Sequence, residues 1–292
     1  MYSRIFAHTS LLGLMVCMSM GLGTGGRTAS FLGTAGNYAV FGLFTSPANG
    51  TFLNFSNVTV NGDVAEGPSG TGHVFAPSLV NGNYFYDTTA TAPTLDAPGV
   101  VTGSVTQTSL TQANNDALAA YNTALGFAPT QTFGTISTAT TINGNGGLNV
   151  IDINGNINLS DSNNLSLNGG PSDFFILNVT GGVTLDGSAQ ITGTGGVTAS
   201  SLLINVIGTG NSLTSHVGNV INGTLLAPYR SLTFHSANGA ILAGGEEIKL
   251  MSDATVNFTP LGPVPPISDA STIVLACFGA LQLLAVRRKV FR

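Results

Sequence analysis

Between residues 37 and 260 the apolar positions come in short pieces, alternating or continuous, and each piece ends at a glycine- or asparagine-rich corner. NYAVFGLF, FLNFSNVTV, DVAEG and HVFAPSLV lie in the first part, and LNVIDINGNINL, FFILNVTGGVTLDG, SLLINVIGTG and SLTFHSANGAILAGG in the second. Runs rich in Val, Ile, Leu, Phe and Thr with such punctuation predict strands. Asn-Gly occurs at 49, 61, 81, 143, 145, 154, 168, 222 and 238, and because both residues tolerate positive φ this predicts tight corners rather than long loops. Strands this short fit either a sandwich of hairpins or a parallel solenoid whose rungs turn at Gly and Asn. Paired Gly and Thr-Gly at irregular spacing favour the solenoid. The lack of a strict period makes it irregular and excludes a nonapeptide calcium-binding roll.

One stretch breaks the rhythm. SLTQANNDALAAYNTALG, residues 109 to 126, carries Leu110, Ala113, Ala117, Ala120, Tyr121 and Ala124 on one helical face and ends at Gly126. Ser109 with Gln112 reads as a capping box. A stripe of mostly alanine lets a helix at 110–125 lie close against the β body.

Both ends are hydrophobic. Residues 1–35, with Arg4 and an apolar run from Leu11 to about Leu22, read as a secretory signal. Residues 36–260 form the expected solenoid domain, 261–269 a proline-rich hinge, and 270–292 an apolar segment with a basic end. That last segment is expected to enter a membrane, at least transiently, if the bilayer thins or its flanking cations snorkel. The expected fold is therefore mainly β, a solenoid with one long helix alongside and hydrophobic helices at the termini.

Charge narrows the function. Between residues 28 and 286 the only basic side chains are Arg230 and Lys249, against all 13 acidic residues. Such a balance excludes nucleic acid as a partner, since that binding rests on neutralising phosphates. The two cysteines, Cys17 and Cys277, lie in the hydrophobic ends, so the body relies on packing and backbone hydrogen bonds.

The C-terminal stretch resembles sorting tails of the PEP-CTERM type, found on exported bacterial proteins with an exosortase. Its parts are Val264, Pro265 and Pro266, then Asp269, Ser271 and Thr272, an apolar run, and finally Arg287, Arg288 and Lys289. Pro266 and Ile267 stand where that pattern has an acidic residue after Val-Pro. The resemblance implies an exosortase-like processing enzyme and the membrane as partners, and a place in the bacterial envelope, at the cell surface or in the extracellular matrix. The body is similar to the choice-of-anchor A domain in VTVNGDVAEG, LLINVIGTG and INGTLLAPYRSLTFHSANGAILAGGEE. It is also similar to secreted ice-binding β-solenoids, through TQANNDALAAYNTALG and the GTLLAP…LTFHSANGAILAG ending. This similarity implies a right-handed parallel β-helix with a long helix beside it.

A non-catalytic surface or matrix protein with a structural or adhesive role, meeting an extracellular polysaccharide or a surface protein, is the expected function; ice binding through a flat threonine-rich face is the alternative. Thr138, Thr140, Thr141, Thr180, Thr184, Thr192 and Thr194 are candidates for that face, though their spacing gives no ladder. Asp152, Asp161, Asp173 and Asp186 read as turn formers rather than paired catalytic acids. His73, His216 and His235 lack metal-site spacing, no cofactor is expected, and Asp63 with Glu66 and Glu246 with Glu247 read as a solvated acidic rim. For a binding surface the candidates are Tyr84, Tyr86, Tyr229 and Arg230, although alternation turns two of Tyr84, Phe85 and Tyr86 inward.

Overall fold

The computed structural model describes residues 30–45, 50–96 and 100–266. Every strand pair is parallel, and the strands form a three-faced stack. Face A is a ten-stranded sheet that contains Val40–Gly42, Leu148–Ile153, Phe174–Val179, Leu202–Val206, Thr224–Ala227 and Ile241–Ala243. The thirteen-stranded sheet folds lengthwise into two faces. Face B carries Ile157–Leu159, Val183–Leu185, Leu213–Ser215 and Thr71–Phe75; face C carries Thr140–Asn143, Leu165–Gly169, Gln190–Gly195, Val220–Asn222 and Leu79–Asn81. Three long strands, Phe52–Asn61, Leu232–Asn238 and Glu247–Asn257, run from face B onto face C. Two of their pairings shift register at the bend, where Asn57 and Asp253 have positive φ. Each turn of chain runs A, B, C.

Chain order and stacking order differ. The chain enters in the middle of face A at Val40–Gly42 and builds rungs in one direction to Val105–Gln107. Helix α1, Thr111–Gly126, then carries it back along face A to Gln131–Phe133 at the opposite end. From there rungs climb until Ile241–Ala243 pairs with Val40–Gly42, and Glu247–Asn257 with Phe52–Asn61. The first and last parts of the solenoid thus meet at its centre.

Burial follows from these faces. The central strands of face A are covered on both sides, which is why Phe174–Val179 and Leu202–Val206 are buried throughout. Its outer side, with Phe41, Phe174, Ile176, Leu203, Leu226 and Leu242, packs against Leu110, Ala113, Ala117, Ala120, Tyr121 and Ala124 of α1. This is the stripe read from the sequence. Polar side chains fix the helix further: Asn114 Oδ1 accepts from the Phe44 N–H at 2.7 Å and its Nδ2 donates to the Phe44 carbonyl at 3.1 Å, as a strand edge would. Asn178 and Asn205, adjacent on face A, donate to the carbonyls of Ala124 and Tyr121 near the end of α1.

The expected capping box does not form. The helix starts at Thr111, and its entry is held by Asp87, whose Oδ2 accepts from the Leu110 N–H at 2.6 Å. Gln112 turns instead to Asp116, one helical turn on.

The terminal hydrophobic helices expected as part of the fold need correction. Among the described residues no helix is long and apolar enough to cross a membrane. The long helix, α1, has 16 residues and spends its apolar stripe on face A. The expected membrane segment, and with it the membrane and an exosortase-like enzyme as partners, is therefore not supported. The hydrophobic ends themselves, 1–29 and 267–292, lie outside the described residues. Residues 261–266, expected as a hinge, lie on the body: Leu261 is buried, Val264 packs in the helix layer, and the Gly262 N–H donates to the Ser200 carbonyl at 2.7 Å.

Candidate functional site

Face C is an uncovered surface without charge: no Asp, Glu, Lys, Arg or His occurs in its strand residues. Alternation sends Val58 and Val60 inward while Thr59 and Asn61 face out, and the same holds rung after rung. Parallel register then stacks like positions. One outward row runs Leu79, Thr59, Thr255, Ser236, Val220 and Gln190. Beside it, Asn81, Asn61, Asn257, Asn238 and Asn222 stand in register across five rungs, and Thr192, Ser166 and Thr141 stack on one another further along the face.

The asparagines form a continuous hydrogen-bonded ladder. Asn81 Nδ2 donates to Asn61 Oδ1 at 2.8 Å, Asn61 to Asn257 at 2.8 Å, Asn257 to Asn238 at 3.0 Å, and Asn238 to Asn222 at 2.7 Å. A shorter ladder joins Asn168 to Asn143 at 2.9 Å, with Thr194 Oγ1 donating to Asn168 at 3.3 Å. Each amide keeps its remaining hydrogen and lone pair for the surface.

Glycine follows four of the five asparagines because the corner demands it. At Gly239 φ is 153°, and a Cβ there would collide with the Gly223 carbonyl of the next rung. Asn-Gly is thus one device with two parts, a ladder residue and a close-packing corner.

Face B is different. Its central outward row reads Asn158, Thr184, Thr214, Thr233, Lys249, Asn54, His73 and Thr94. Thr184, Thr214 and Thr233 are a threonine run, but Lys249 ends it and Glu247 lies beside, accepting from Asn54 Nδ2 at 2.8 Å. His73 Nε2 lies 3.2 Å from Asp96 and His216 Nδ1 3.4 Å from Asp186.

The threonines singled out in the sequence therefore divide. Thr141 and Thr192 share the second row of face C through Ser166, Thr194 joins the shorter ladder, and Thr184 belongs to face B. The ladder asparagines were missed as surface residues, and their signal was the recurrence of an apolar residue before Asn-Gly at 60, 80, 142, 221 and 237.

The four proposed binding residues do not come together. Tyr84 is fully buried inside the solenoid, its hydroxyl donating to Glu66 Oε2 at 2.9 Å. It is out of reach of a partner, while Tyr86 is half-buried and packs on the same core. Phe85 faces the other way, onto Tyr38. Tyr229 is 36% exposed and rests edge-on against Tyr121, ring centroids 5.5 Å apart. Arg230 is 4% exposed and donates to the carbonyls of Gly208 at 2.7 Å, Ile207 at 2.9 Å and Asn211 at 3.2 Å, with longer contacts to Thr180 and Gly181. Of the sorting-tail residues, Val264 meets the helix layer, and Pro265 and Pro266 line a cleft with Phe127, Leu148 and Val150. Asp269, Ser271, Thr272, Arg287, Arg288 and Lys289 lie outside the described residues.

The acidic residues are dispersed too. Asp173, at the corner from face C to face A, accepts from the N–H groups of Gly146, Gly147 and Gly170 and from Asn149 Nδ2. Burial alone would raise its pKa, and these donors bring it below the usual carboxylate range. Asp152 lies on face A, Asp186 beside His216, and Asp161 at a positive-φ corner. Asp63 accepts from Asn83, whereas Glu66 is buried with Oε1 unpartnered, and burial raises its pKa to about 7. His216 and His235 stand on neighbouring rungs, yet among the described residues no three His, Cys, Asp or Glu side chains could hold a metal ion.

Comparison with known proteins agrees with this geometry. No curated protein sequence matches the chain. Solved structures share the fold at low identity. An ice-binding protein from an Antarctic biological consortium is 21% identical over 80% of this chain and 92% of that one, with a TM-score of 0.56. A glycosylated ice-binding protein from an Arctic yeast is 20% identical over 84% and 100%, also at 0.56. An ice-binding protein domain from Shewanella frigidimarina is 15% identical over 80% and 98%, again at 0.56. The matched family is thus that of the second resemblance noted in the sequence, rather than choice-of-anchor A, and it makes the chain an adhesive solenoid rather than an enzyme. Residues 22–245 match the ice-binding-like adhesive domain family, and the chain belongs to it.

Proposed function

We propose that the protein acts outside the cell by binding ice through face C. The observation that carries this reading is the uncharged array of Asn61, Asn81, Asn222, Asn238 and Asn257, beside the Thr59, Thr255 and Ser236 row. Rungs stacked about 4.8 Å apart repeat hydroxyl and amide groups along the face at a fixed spacing. Binding an ordered water lattice calls for polar groups already held in place, because ordering them on contact costs conformational entropy. The ladder supplies that order, since each amide is fixed by its neighbours.

Faces A and B are less suited. Face A is covered by α1. Face B carries Lys249, Glu247, His73 and Asp96, and charged groups hold tight hydration shells that resist transfer to a lattice surface. The adhesive character of the family is met in this reading by ice as the surface adhered to. The test is ice partition: a fluorescently labelled protein present while a polycrystalline shell grows slowly is expected to enter the ice, and exclusion into the liquid overturns the reading.

A further inference from the structure

The corner from face A to face B takes three residues at 180–182 but six at 207–212. The longer corner forms one wall of a cleft of about 410 Å³, whose lining includes Asn156, Asn158, Thr184, Asn211, Ser212 and Arg230. Arg230 reaches in from the following rung and is almost wholly buried there.

Its guanidinium has five N–H groups. Nε donates to the Gly208 carbonyl, one Nη1 hydrogen to that of Asn211, and the two Nη2 hydrogens are shared among Ile207, Thr180 and Gly181. One Nη1 hydrogen has no acceptor among the described residues. No carboxylate pairs with Arg230 either, since the ion pairs of the described residues are His73 with Asp96 and His216 with Asp186. Carbonyls hold the guanidinium in place but bring no net negative charge, and a buried cation ordinarily sits with a counter-anion. The Asn158 amide and the Ser212 hydroxyl, on the same cleft, have no partner among the described residues.

We infer that this cleft binds a small hydroxylated carboxylate of sugar-acid size, its carboxylate meeting the free Nη1–H of Arg230 and its hydroxyls meeting Asn158 and Ser212. The volume suits one or two sugar rings, at the low end for ligand sites. One cation with one free N–H matches a monoanion better than a phosphate dianion, which calls for several donors. The site is separate from face C and does not depend on the ice-binding reading.

The experiment is an NMR titration of the full chain with galacturonate, galactose and acetate. Galacturonate is expected to shift the resonances of Asn158, Thr184 and Ser212 saturably, with galactose at least about tenfold weaker for want of the charge-assisted hydrogen bond to Arg230, and acetate at least about tenfold weaker for want of the hydroxyl contacts to Asn158 and Ser212. Arg230→Gln is expected to abolish the response. Because that variant also loses contacts to the corner carbonyls, the pair Asn158→Leu and Ser212→Ala, which leaves the guanidinium in place, is expected to weaken galacturonate about tenfold. Absence of saturable binding by the wild type, equal binding of acetate or of galactose, or full binding by the Asn158/Ser212 variant would each overturn the inference.

Discussion

Asn61 Nδ2 donates to Asn257 Oδ1 at 2.8 Å, joining side chains 196 positions apart in the chain. This bond crosses the seam where the first and last parts of the solenoid meet. The ladder therefore does two things: it orders the surface of face C and helps to close the stack.

Breaking the ladder at its seam tests that dual role. Asn257→Ala removes the acceptor of Asn61 and the donor to Asn238. Both neighbours can reach water, so the expected loss is about 1 kcal/mol or somewhat more, read as a lower urea midpoint with unchanged slope. Gly239→Ala in the corner is expected to cost more, because its φ of 153° and the Gly223 carbonyl both oppose a side chain.

Glu66 gives the molecule an unusual pH dependence. Inside the core its carboxyl has Tyr84 as partner, and burial raises its pKa from 4.5 to about 7. The folded state thus holds the proton more tightly than the unfolded chain. Its contribution to stability is full below pH 4.5, is lost as pH rises toward 7, and is flat above that. The interval corresponds to roughly 3 kcal/mol at most. Thermal unfolding is expected to show a Tm falling between pH 4.5 and 7 in the wild type, and nearly level in Glu66→Gln, with the variant more stable at pH 8. Asp87 and Asp173, whose pKa values are lowered, act in the opposite sense and lose their contribution only as pH falls below about 4.

The helix clamp is a third test. Asn114→Leu leaves the Phe44 N–H and carbonyl without the amide that pairs both. A loss of roughly 2 to 3 kcal/mol is expected. Hydrogen exchange should then quicken in α1 while the rungs of face C remain protected.

Local features were legible in the sequence and long-range ones were not. The alanine stripe of α1 announced itself because Ala113, Ala117, Ala120 and Ala124 recur at helical spacing, and burial follows that spacing directly. The Asn-Gly corners were legible as corners, yet their reason was only half seen: positive φ at Gly223 and Gly239 is coupled to stacking on the next rung. The meeting of Val40–Gly42 with Ile241–Ala243 was hidden, because a rung carries no mark of which neighbour it will pair with. Arg230 misled for a similar reason. Its charge marked it as a surface residue, while its carbonyl partners come from two corners, 180–182 and 207–212, that only the register brings together.

Ice binding by face C is decided most directly by thermal hysteresis of two bulky variants, each shown by circular dichroism to be folded. Thr255→Tyr stands at the centre of the uncharged face and Thr233→Tyr on face B of the neighbouring rung. Thr255→Tyr is expected to lower the freezing-point gap several-fold, while Thr233→Tyr leaves it near the wild-type value. Equal gaps in both variants, a loss confined to Thr233→Tyr, or no gap in the wild type would contradict ice binding by face C.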